Sequence, residues 1–177
     1  TKFLFRLNDD LMIESVLIPP EAPAHLVGAT KAGGGSPAAE RRLTLCVSTQ
    51  VGCPLDCKFC ATGTMGFLRN LTAGEILDQA IQAQRHAQRR ITNVVYMGMG
   101  EPMLNYEEVM KSVDILSDDR SLNIGTKHIT ISTAGFGSAI SGLRARDSHP
   151  STCRTENPSV SVASPERLRG RCLSTQD

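Results

Sequence analysis

The run Leu43-Thr44-Leu45-Cys46-Val47-Ser48-Thr49 is rich in apolar and β-branched residues, which predicts a buried strand. Two similar runs follow at residues 91–97 and 127–133. A helix is predicted between each pair of strands, because apolar residues recur at helical spacing behind the capping boxes Thr72–Glu75 and Asn105–Glu108. Strands and helices that alternate with short connections predict parallel βαβ units. The fold class is therefore α/β, either a doubly wound sheet or the opening portion of a (β/α) barrel.

The rest of the chain divides into three regions around this core of residues 43–135. Residues 1–19 alternate apolar and polar side chains on either side of the turn signal Asn8-Asp9-Asp10, which predicts a β-hairpin. Residues 20–42 are rich in Pro, Gly and Ala and predict an insertion or linker. Residues 136–177 are rich in Ser and Arg and lack periodicity, so we expect a disordered tail or the product of a shifted reading frame, with a tail that contacts RNA as the alternative.

Composition excludes several classes of protein. Of the 177 residues, 40% are hydrophobic and 21% are charged, which is typical of a globular domain and not of a disordered or fibrous chain. A net charge of +1 gives no general attraction to nucleic acid or anionic lipid. With two Tyr, five Phe and no Trp, a base-stacking platform is not expected. The absence of a long apolar run or a secretory signal favours a cytoplasmic protein, with an organelle as the alternative.

Three of the six cysteines crowd into one short segment, Cys53, Cys57 and Cys60. Three thiolates at C-x3-C-x2-C spacing can each bind one iron of a [4Fe-4S] cluster and leave the fourth iron open to a small molecule. Structural zinc usually takes four protein ligands in paired C-x2-C units. Zinc and an unliganded reducing loop remain the alternatives. Cys46 belongs to the first predicted strand, so it is not counted as a fourth ligand.

The surroundings of this cysteine segment resemble the radical S-adenosylmethionine (SAM) superfamily. The segment follows the first strand of a βα series, and an aromatic residue precedes its last cysteine. Gly98-Met99-Gly100-Glu101-Pro102, after the second strand, resembles the Gly-Glu-Pro motif of that superfamily. The resemblance implies a barrel of radical SAM type, of which this chain holds the N-terminal portion, and it implies SAM as a ligand of the open iron. A carboxylate such as Glu101 can pair with the SAM ammonium.

A closer resemblance is to the RNA adenine-C2 methyltransferases, and it covers residues 2–19 and 43–135. The stretches that carry it are IESVLIP (13–19), TLCVSTQVGC (44–53), FCATG (59–63), GFLRNL (66–71), ITNVVYMGMGEP (91–102) and ITISTAG (129–135). This family methylates carbon 2 of an adenine in large-subunit ribosomal RNA and, in bacteria, in some transfer RNAs. The resemblance therefore implies an RNA substrate, an electron donor such as a flavodoxin or ferredoxin, and a monomeric enzyme.

The resemblance also implies a role for individual residues. The cluster would be bound by Cys53, Cys57 and Cys60. The SAM contacts would be Gly100, Glu101 and Ser132. Cys46 matches the cysteine that completes turnover through a transient disulfide, although a strand cysteine is more often a small packed hydrophobe. Glu14 matches a proposed general base, whereas an acid on a hairpin is more often a solvated surface residue.

The sequence departs from the family toward both ends. The family's methyl-carrying cysteine is expected far downstream of residue 135, and Cys153 and Cys172 stand in the unpatterned tail without the expected neighbours. The family's N-terminal helical RNA-binding region is not found before Thr1. We therefore expect a truncated methyltransferase that can bind the cluster and SAM but lacks the methyl acceptor. The alternatives are a catalytically inactive iron–sulfur and SAM-binding fragment or pseudoenzyme, and a radical SAM enzyme that acts at carbon 8 of adenine.

Overall fold

The computed structural model describes residues 1–19, 42–55, 57–58, 60–134 and 159–162. Its strands are β1 (Lys2–Arg6), β2 (Met12–Ile18), β3 (Thr44–Cys46), β4 (Gln50–Gly52), β5 (Phe67–Asn70), β6 (Asn93–Tyr96), β7 (Ile129–Thr133) and β8 (Ser159–Val162). Its α-helices are α1 (Ala73–Ala87) and α2 (Tyr106–Ser117). Short 3-10 helices cover Ala61–Met65, Pro102–Asn105 and Thr126–His128.

Six of the strands form one mixed sheet in the order β1-β2-β3-β6-β7-β8. The pairs β1–β2 and β2–β3 are antiparallel, whereas β3, β6, β7 and β8 run parallel to one another. Strands β4 and β5 form a separate antiparallel pair. The α/β class with a parallel core is therefore confirmed. The described strands form an open sheet and not a closed barrel, so the finer prediction of a partial barrel stays a prediction.

The N-terminal hairpin is confirmed, and it extends the main sheet. β1 pairs with β2 in a register that places Lys2 opposite Val16. The connecting turn closes through a hydrogen bond from Asp10 N to Leu7 O (3.1 Å), with Asp10 in the left-handed region at φ 64°. β2 then pairs with β3, so that Val16 lies opposite Cys46. Residues that are distant in sequence are therefore neighbours in one sheet.

The two faces of this sheet differ in what covers them. One face packs against both helices, and its side chains Ile13, Leu45, Val94 and Ile131 are fully buried in a common core with Ile76 of α1 and Val109 of α2. On the opposite side, no described helix packs over the alternate side chains. We call this side the open face, and its described residues include Glu14, Val16, Cys46, Val95, Thr130 and Ser132.

Helix α1 begins with the predicted capping box. Thr72 Oγ1 accepts a hydrogen bond from Glu75 N (3.2 Å), and Glu75 Oε2 accepts one from Thr72 N (2.9 Å). This reciprocal pair satisfies two of the donors that the first turn of a helix leaves free. The prediction from Thr72 and Glu75 is confirmed.

The second predicted capping box, at Asn105 and Glu108, is wrong. Asn105 precedes α2, but its buried Nδ2 donates to Thr49 O and Leu71 O at 2.8 Å each. Glu108 Oε2 instead accepts from Ala73 N, at the start of α1, at 2.6 Å. Buried backbone carbonyls need donors, and Asn105 supplies them between segments. The two side chains therefore join different elements together and do not cap their own helix.

Strand β8 lies within the predicted tail, of which the structure describes residues 159–162. Ser159 to Val162 pair in parallel with β7, from Thr130 opposite Ser159 to Thr133 opposite Val162. The alternation Ser-Val-Ser-Val has the period of a strand, and β7 offers its unpaired edge to it. The other residues of the predicted tail, 136–158 and 163–177, lie outside the described residues, as do residues 20–41 of the predicted insertion.

Candidate functional site

The three clustered cysteines lie on the connection between β4 and β5. Cys53 N donates to Gly66 O (2.9 Å), which closes the base of the loop. Within the loop, Cys60 N donates to Cys57 O (2.9 Å) and Gly63 N donates to Cys60 O (3.0 Å). All three cysteines are half-buried and reduced. The loop is therefore held by backbone hydrogen bonds, and its thiols remain accessible. Asp56 and Phe59 of this loop lie outside the described residues.

The charges around Cys53 show which groups share its neighbourhood. Burial raises the pKa of the Cys53 thiol, and a backbone hydrogen bond at Leu55 opposes this effect. The charges of Cys57, Cys60 and Glu101 raise this pKa further. Among the described residues, no three His, Cys, Asp or Glu side chains are grouped closely enough to hold a metal ion. The three cysteines are therefore neighbours on one loop and not a preassembled ligand triangle.

The turn that follows β6, residues 98–102, is held by the segment Ser48-Thr49-Gln50. Ser48 Oγ accepts from Met99 N (2.9 Å), and Met99 O accepts from Thr49 N (2.8 Å) and Gln50 N (3.2 Å). Gln50 Oε1 accepts from Glu101 N (2.9 Å). All three residues of the segment are buried. They fix the path of the turn from Met99 to Glu101.

Two glycines of this turn are required by close packing. A Cβ on Gly98 would lie 2.7 Å from both Ser48 Oγ and Val47 O. Gly100 has a φ of +97°, and a Cβ there would lie 2.5 Å from Gln50 Cβ. Glycine is the residue that tolerates both a positive φ and such an approach. The described contacts that require these glycines are with the segment from Val47 to Gln50.

Glu101 is buried, and both oxygens of its carboxylate have partners. Oε1 accepts from Met103 N (2.9 Å), at the start of the following 3-10 helix. Oε2 accepts from Ala134 N (2.8 Å), immediately after β7. The carboxylate therefore lies at the carboxyl ends of the parallel strands, next to the cysteine loop. Each oxygen keeps lone-pair capacity for another donor.

Cys46 and Ser132 lie on the open face of the sheet. Cys46 in β3 is opposite Val16 on one side and Val95 on the other. Burial raises the pKa of its thiol, and a backbone hydrogen bond at Met97 partly offsets this. Ser132 is the penultimate residue of β7, two positions before Ala134, whose N–H binds Glu101. The fold thus brings Ser132 and Glu101 to the same end of the sheet.

Glu14 lies on the open face of β2, on the hairpin. Its Oε1 pairs with Lys2 Nζ at 2.7 Å, and the two side chains are 43% and 62% exposed. Its backbone carbonyl accepts from Ser48 Oγ (2.6 Å). The side chain of Glu14 therefore forms a surface ion pair, whereas its main chain is tied to the segment that holds the turn at residues 98–102.

Sequence reasoning missed the buried polar residues that support the site. Ser48, Gln50, Gln79 and Asn105 are all buried and hydrogen-bonded. Gln79 of α1, for example, binds Ser48 N (2.9 Å) and Ser48 O (3.0 Å). A signal was present in Ser48-Thr49-Gln50, three consecutive polar residues directly after a buried strand. Polar groups in that position are buried only when they have partners.

Comparison with known proteins identifies the family to which this site belongs. The sequence model that describes the radical SAM superfamily matches residues 47–144, more than half of the chain. The chain belongs to the radical SAM superfamily. The match includes the cysteine loop and the turn at residues 98–102 and continues past β7.

Relatives within the radical SAM superfamily are RNA methyltransferases by name. The chain is 49% identical over 137 residues to a probable dual-specificity RNA methyltransferase RlmN of Fervidobacterium nodosum, covering 77% of this chain and 34% of the relative. It is 42% identical over 153 residues to the protein of the same name in Akkermansia muciniphila, covering 86% and 39%. The predicted resemblance is therefore confirmed. The chain spans little more than a third of the length of these relatives.

A solved structure supports the same placement. The crystal structure of a radical SAM methyltransferase from Sphaerobacter thermophilus matches with a TM-score of 0.63 and 42% identity. The match covers 84% of this chain and 38% of that protein.

The residues of this radical SAM chain fit the groups that its family uses. Cysteine thiolates are the usual ligands of iron–sulfur clusters, and three of them stand on one accessible loop. A buried carboxylate is a suitable partner for the ammonium of SAM, and Glu101 is close enough to affect the pKa of Cys53. The three thiols and the Glu101 carboxylate are therefore of the right chemical types for a cluster with SAM beside it. Binding of the cluster would require the loop to bring its three sulfur atoms together.

Proposed function

We propose that this chain is part of a radical SAM methyltransferase that transfers a methyl group from SAM to carbon 2 of an adenine in ribosomal RNA. Transfer RNA is proposed as a second substrate. The observation that carries the proposal is that Glu101 and the segment leading into the cysteine loop meet at the carboxyl ends of the parallel strands, where Glu101 N donates to Gln50 and Ala134 N donates to Glu101. Ligands of such sheets bind at these ends. The names of the matched relatives supply the reaction class and the RNA substrate.

In this proposal, the cluster is bound by Cys53, Cys57 and Cys60, and SAM lies against Gly100, Glu101 and Ser132. When bound, the cluster supplies the electron that opens a carbon–sulfur bond of SAM. Glu101 would accept hydrogen bonds from the SAM ammonium with the lone pairs left by its bonds to Met103 N and Ala134 N. Because each carboxylate oxygen is held by one of these bonds, little reorientation would be needed when the ligand binds.

Two further residues have proposed roles in turnover. Cys46 would form the transient disulfide with the methyl-carrying cysteine of the whole protein as the bond between that cysteine's sulfur and the transferred carbon breaks. The electron pair of the broken bond would stay on that carbon. Its raised pKa keeps it a thiol at neutral pH, so it needs a base to become a nucleophile. Glu14 would act as a base only after its ion pair with Lys2 opens. Both lie on the open face, the side of the sheet over which no described helix packs.

The proposed partners follow from the reaction. The whole protein would act as a monomer on RNA and would receive electrons from a flavodoxin or ferredoxin. We propose the cytoplasm as its compartment, with an organelle as the alternative. In the part of the chain that the structure describes, no helix has the length and apolar character to cross a membrane.

The test uses the full-length protein with its cluster reconstituted, a chemical or flavodoxin reductant, SAM with a deuterated methyl group, and ribosomal or transfer RNA lacking the modification. Mass spectrometry of the digested RNA is expected to show label in 2-methyladenosine. Label in 8-methyladenosine would replace the proposed activity with the carbon-8 reaction. Binding of SAM without any labelled nucleoside would support the alternative of an inactive cluster-binding protein. The Cys57→Ala protein is the control, because it should transfer no label.

A further inference from the structure

Gln50 lies where the cysteine loop and the turn at residues 98–102 meet. It is the first residue of β4, three positions before Cys53, and only 1% of its surface is exposed. Its backbone N–H and its side chain both bind the turn, at Met99 O (3.2 Å) and Glu101 N (2.9 Å). No other described residue hydrogen-bonds the backbone N–H of Glu101 in the structure.

The orientation of the Gln50 amide is fixed from its other end. Gln50 Nε2 donates to Asn70 Oδ1 at 2.8 Å. Asn70 is the last residue of β5, the strand that closes the cysteine loop. The amide of Gln50 therefore has its oxygen directed at Glu101 and its NH2 group directed at the far side of the loop. An amide that binds at both ends cannot rotate without losing both hydrogen bonds.

The packing around Gln50 leaves little freedom for the turn to shift. Gly100 lies against the Gln50 side chain so closely that a Cβ would be 2.7 Å from Gln50 Cγ. A shift of Gln50 would therefore displace Gly100 and Glu101 with it.

We propose that Gln50 is a positioning residue that sets the placement of the Glu101 carboxylate relative to the cysteine loop, and thereby the affinity for SAM. This inference rests on the proposed function. Gln50 itself touches neither proposed ligand and acts through the backbone of Glu101. The buried N–H of Glu101 loses its partner when Gln50 is replaced by an apolar residue, and the turn then relaxes around the unpaired group.

The experiment measures SAM affinity and cluster content separately in the full-length, reconstituted protein. In Gln50→Met, which keeps the length of the side chain but loses the amide, we expect SAM to bind about tenfold more weakly. Iron content and the visible absorption spectrum should stay at the parent level. Gln50→Glu retains an acceptor for Glu101 N but loses the donor to Asn70, so we expect an affinity between those of Gln50→Met and the parent.

Ser112→Ala is the matched control, because Ser112 is equally buried but binds Tyr96 and Val109 and no residue of the turn at residues 98–102. It should lower the melting temperature and leave SAM affinity within about twofold of the parent. A second pair keeps the test valid if Gln50→Met does not fold. Asn70→Ala frees the Gln50 amide and should weaken SAM binding, whereas Asn70→Asp keeps the acceptor and should not.

Several results would overturn the proposal. It is refuted if Gln50→Met binds SAM like the parent, or if Gln50→Met loses cluster and SAM together, since Gln50 would then only support the fold. An equal loss of affinity in Ser112→Ala, or in Gln50→Glu, would refute a specific role for the bond to Glu101. A parent protein that holds its cluster but does not bind SAM would refute the proposed function itself, before any variant is compared.

Discussion

The turn at residues 98–102 and the cysteine loop lie at the same end of the sheet but are built in different ways. The turn is buried, and side chains of Ser48 and Gln50 bind its backbone. The loop is half-exposed, and backbone hydrogen bonds close it without bringing its thiols into a metal-binding group within the described residues. The difference suggests a division of roles. The fold alone fixes the position of the carboxylate that would bind SAM, whereas binding of the cluster would bring the three thiols together.

The largest expected effect comes from removing one thiol of the loop. Cys57→Ala should reduce the iron content from about four per chain to nearly none. Because none of the described residues from 53 to 66 is buried, the melting temperature of the cluster-free protein should stay within about two degrees of the parent. Iron and sulfide analysis with thermal denaturation measures both quantities. A large drop in the cluster-free melting temperature would show that the loop is as preformed as the turn.

In contrast to Cys57→Ala, a substitution in the turn, Gly100→Ala, should destabilise the cluster-free protein. The added methyl group would lie 2.5–2.8 Å from Gln50 atoms, and the alanine backbone would have to keep a φ of +97°. We therefore expect a loss of about 3 kcal/mol in the free energy of unfolding. Gly125→Ala is the matched control, because Gly125 has φ −54° and its nearest neighbour would be 3.8 Å away. Urea denaturation of the cluster-free proteins measures the difference. Equal stability of the two variants would mean that the turn is not tightly packed.

Glu101→Ala should also destabilise the cluster-free protein. It removes the acceptor from Met103 N and from Ala134 N, and each backbone donor left without a partner is costly. We expect a loss of about 2 kcal/mol, measured by urea denaturation without any ligand. Glu107→Ala, which removes an exposed carboxylate at the start of α2, is expected to change stability by less than about 0.5 kcal/mol. If Glu101→Ala had as small an effect, the carboxylate would not be held by the fold.

The smallest effect concerns Arg69, which anchors β5 after the cysteine loop. Its guanidinium binds Glu75 (2.8 Å) and Asp9 (2.6 Å), and this contact lowers the pKa of both carboxyl groups. A folded-state pKa below the unfolded value stabilises the protein above that value, about 4.3 for Glu. This contribution is lost as the pH falls through the lowered folded pKa.

The expected result is a decrease in the urea midpoint as the pH is lowered from about 5 to 3, and a smaller decrease in Glu75→Gln. Because the ion pair is partly exposed, added salt should also reduce its contribution. Glu107→Gln serves as the control for loss of one carboxylate. An unchanged pH dependence in Glu75→Gln would show that Arg69 does not anchor the loop through this pair.

The sequence predicted the elements of the fold more fully than the contacts between them. The capping box at Thr72 and Glu75 was predictable because both partners lie within one helical turn. The one expected at Asn105 and Glu108 failed because Thr49, Leu71 and Ala73, all distant in sequence, compete for the same side chains. Strand β8 was missed because four residues of Ser and Val give too short a pattern to stand out in an Arg- and Ser-rich segment.

The same reasoning applies to the candidate site. The cysteines and the Gly-Glu-Pro turn were found because each is a local motif. The polar run Ser48-Thr49-Gln50 signals buried polar residues but not their partners, because the Gln50 amide finds its partners only after β4, β5 and the turn have come together. Glu14 could be matched by resemblance, but its ion pair with Lys2 depends on the register of the hairpin.

The close approach of Gly98 and Gly100 to the segment from Val47 to Gln50 has a consequence for the evolution of this motif. Because the contacts that exclude a side chain are internal, a descendant that lost its cofactors would still be under pressure to keep both glycines. Drift would be expected first at the cysteines, which stabilise little without a cluster. In a survey of related chains, retained glycines would therefore indicate a shared fold. Retained cysteines would distinguish the relatives that bind a cluster from those that have lost it.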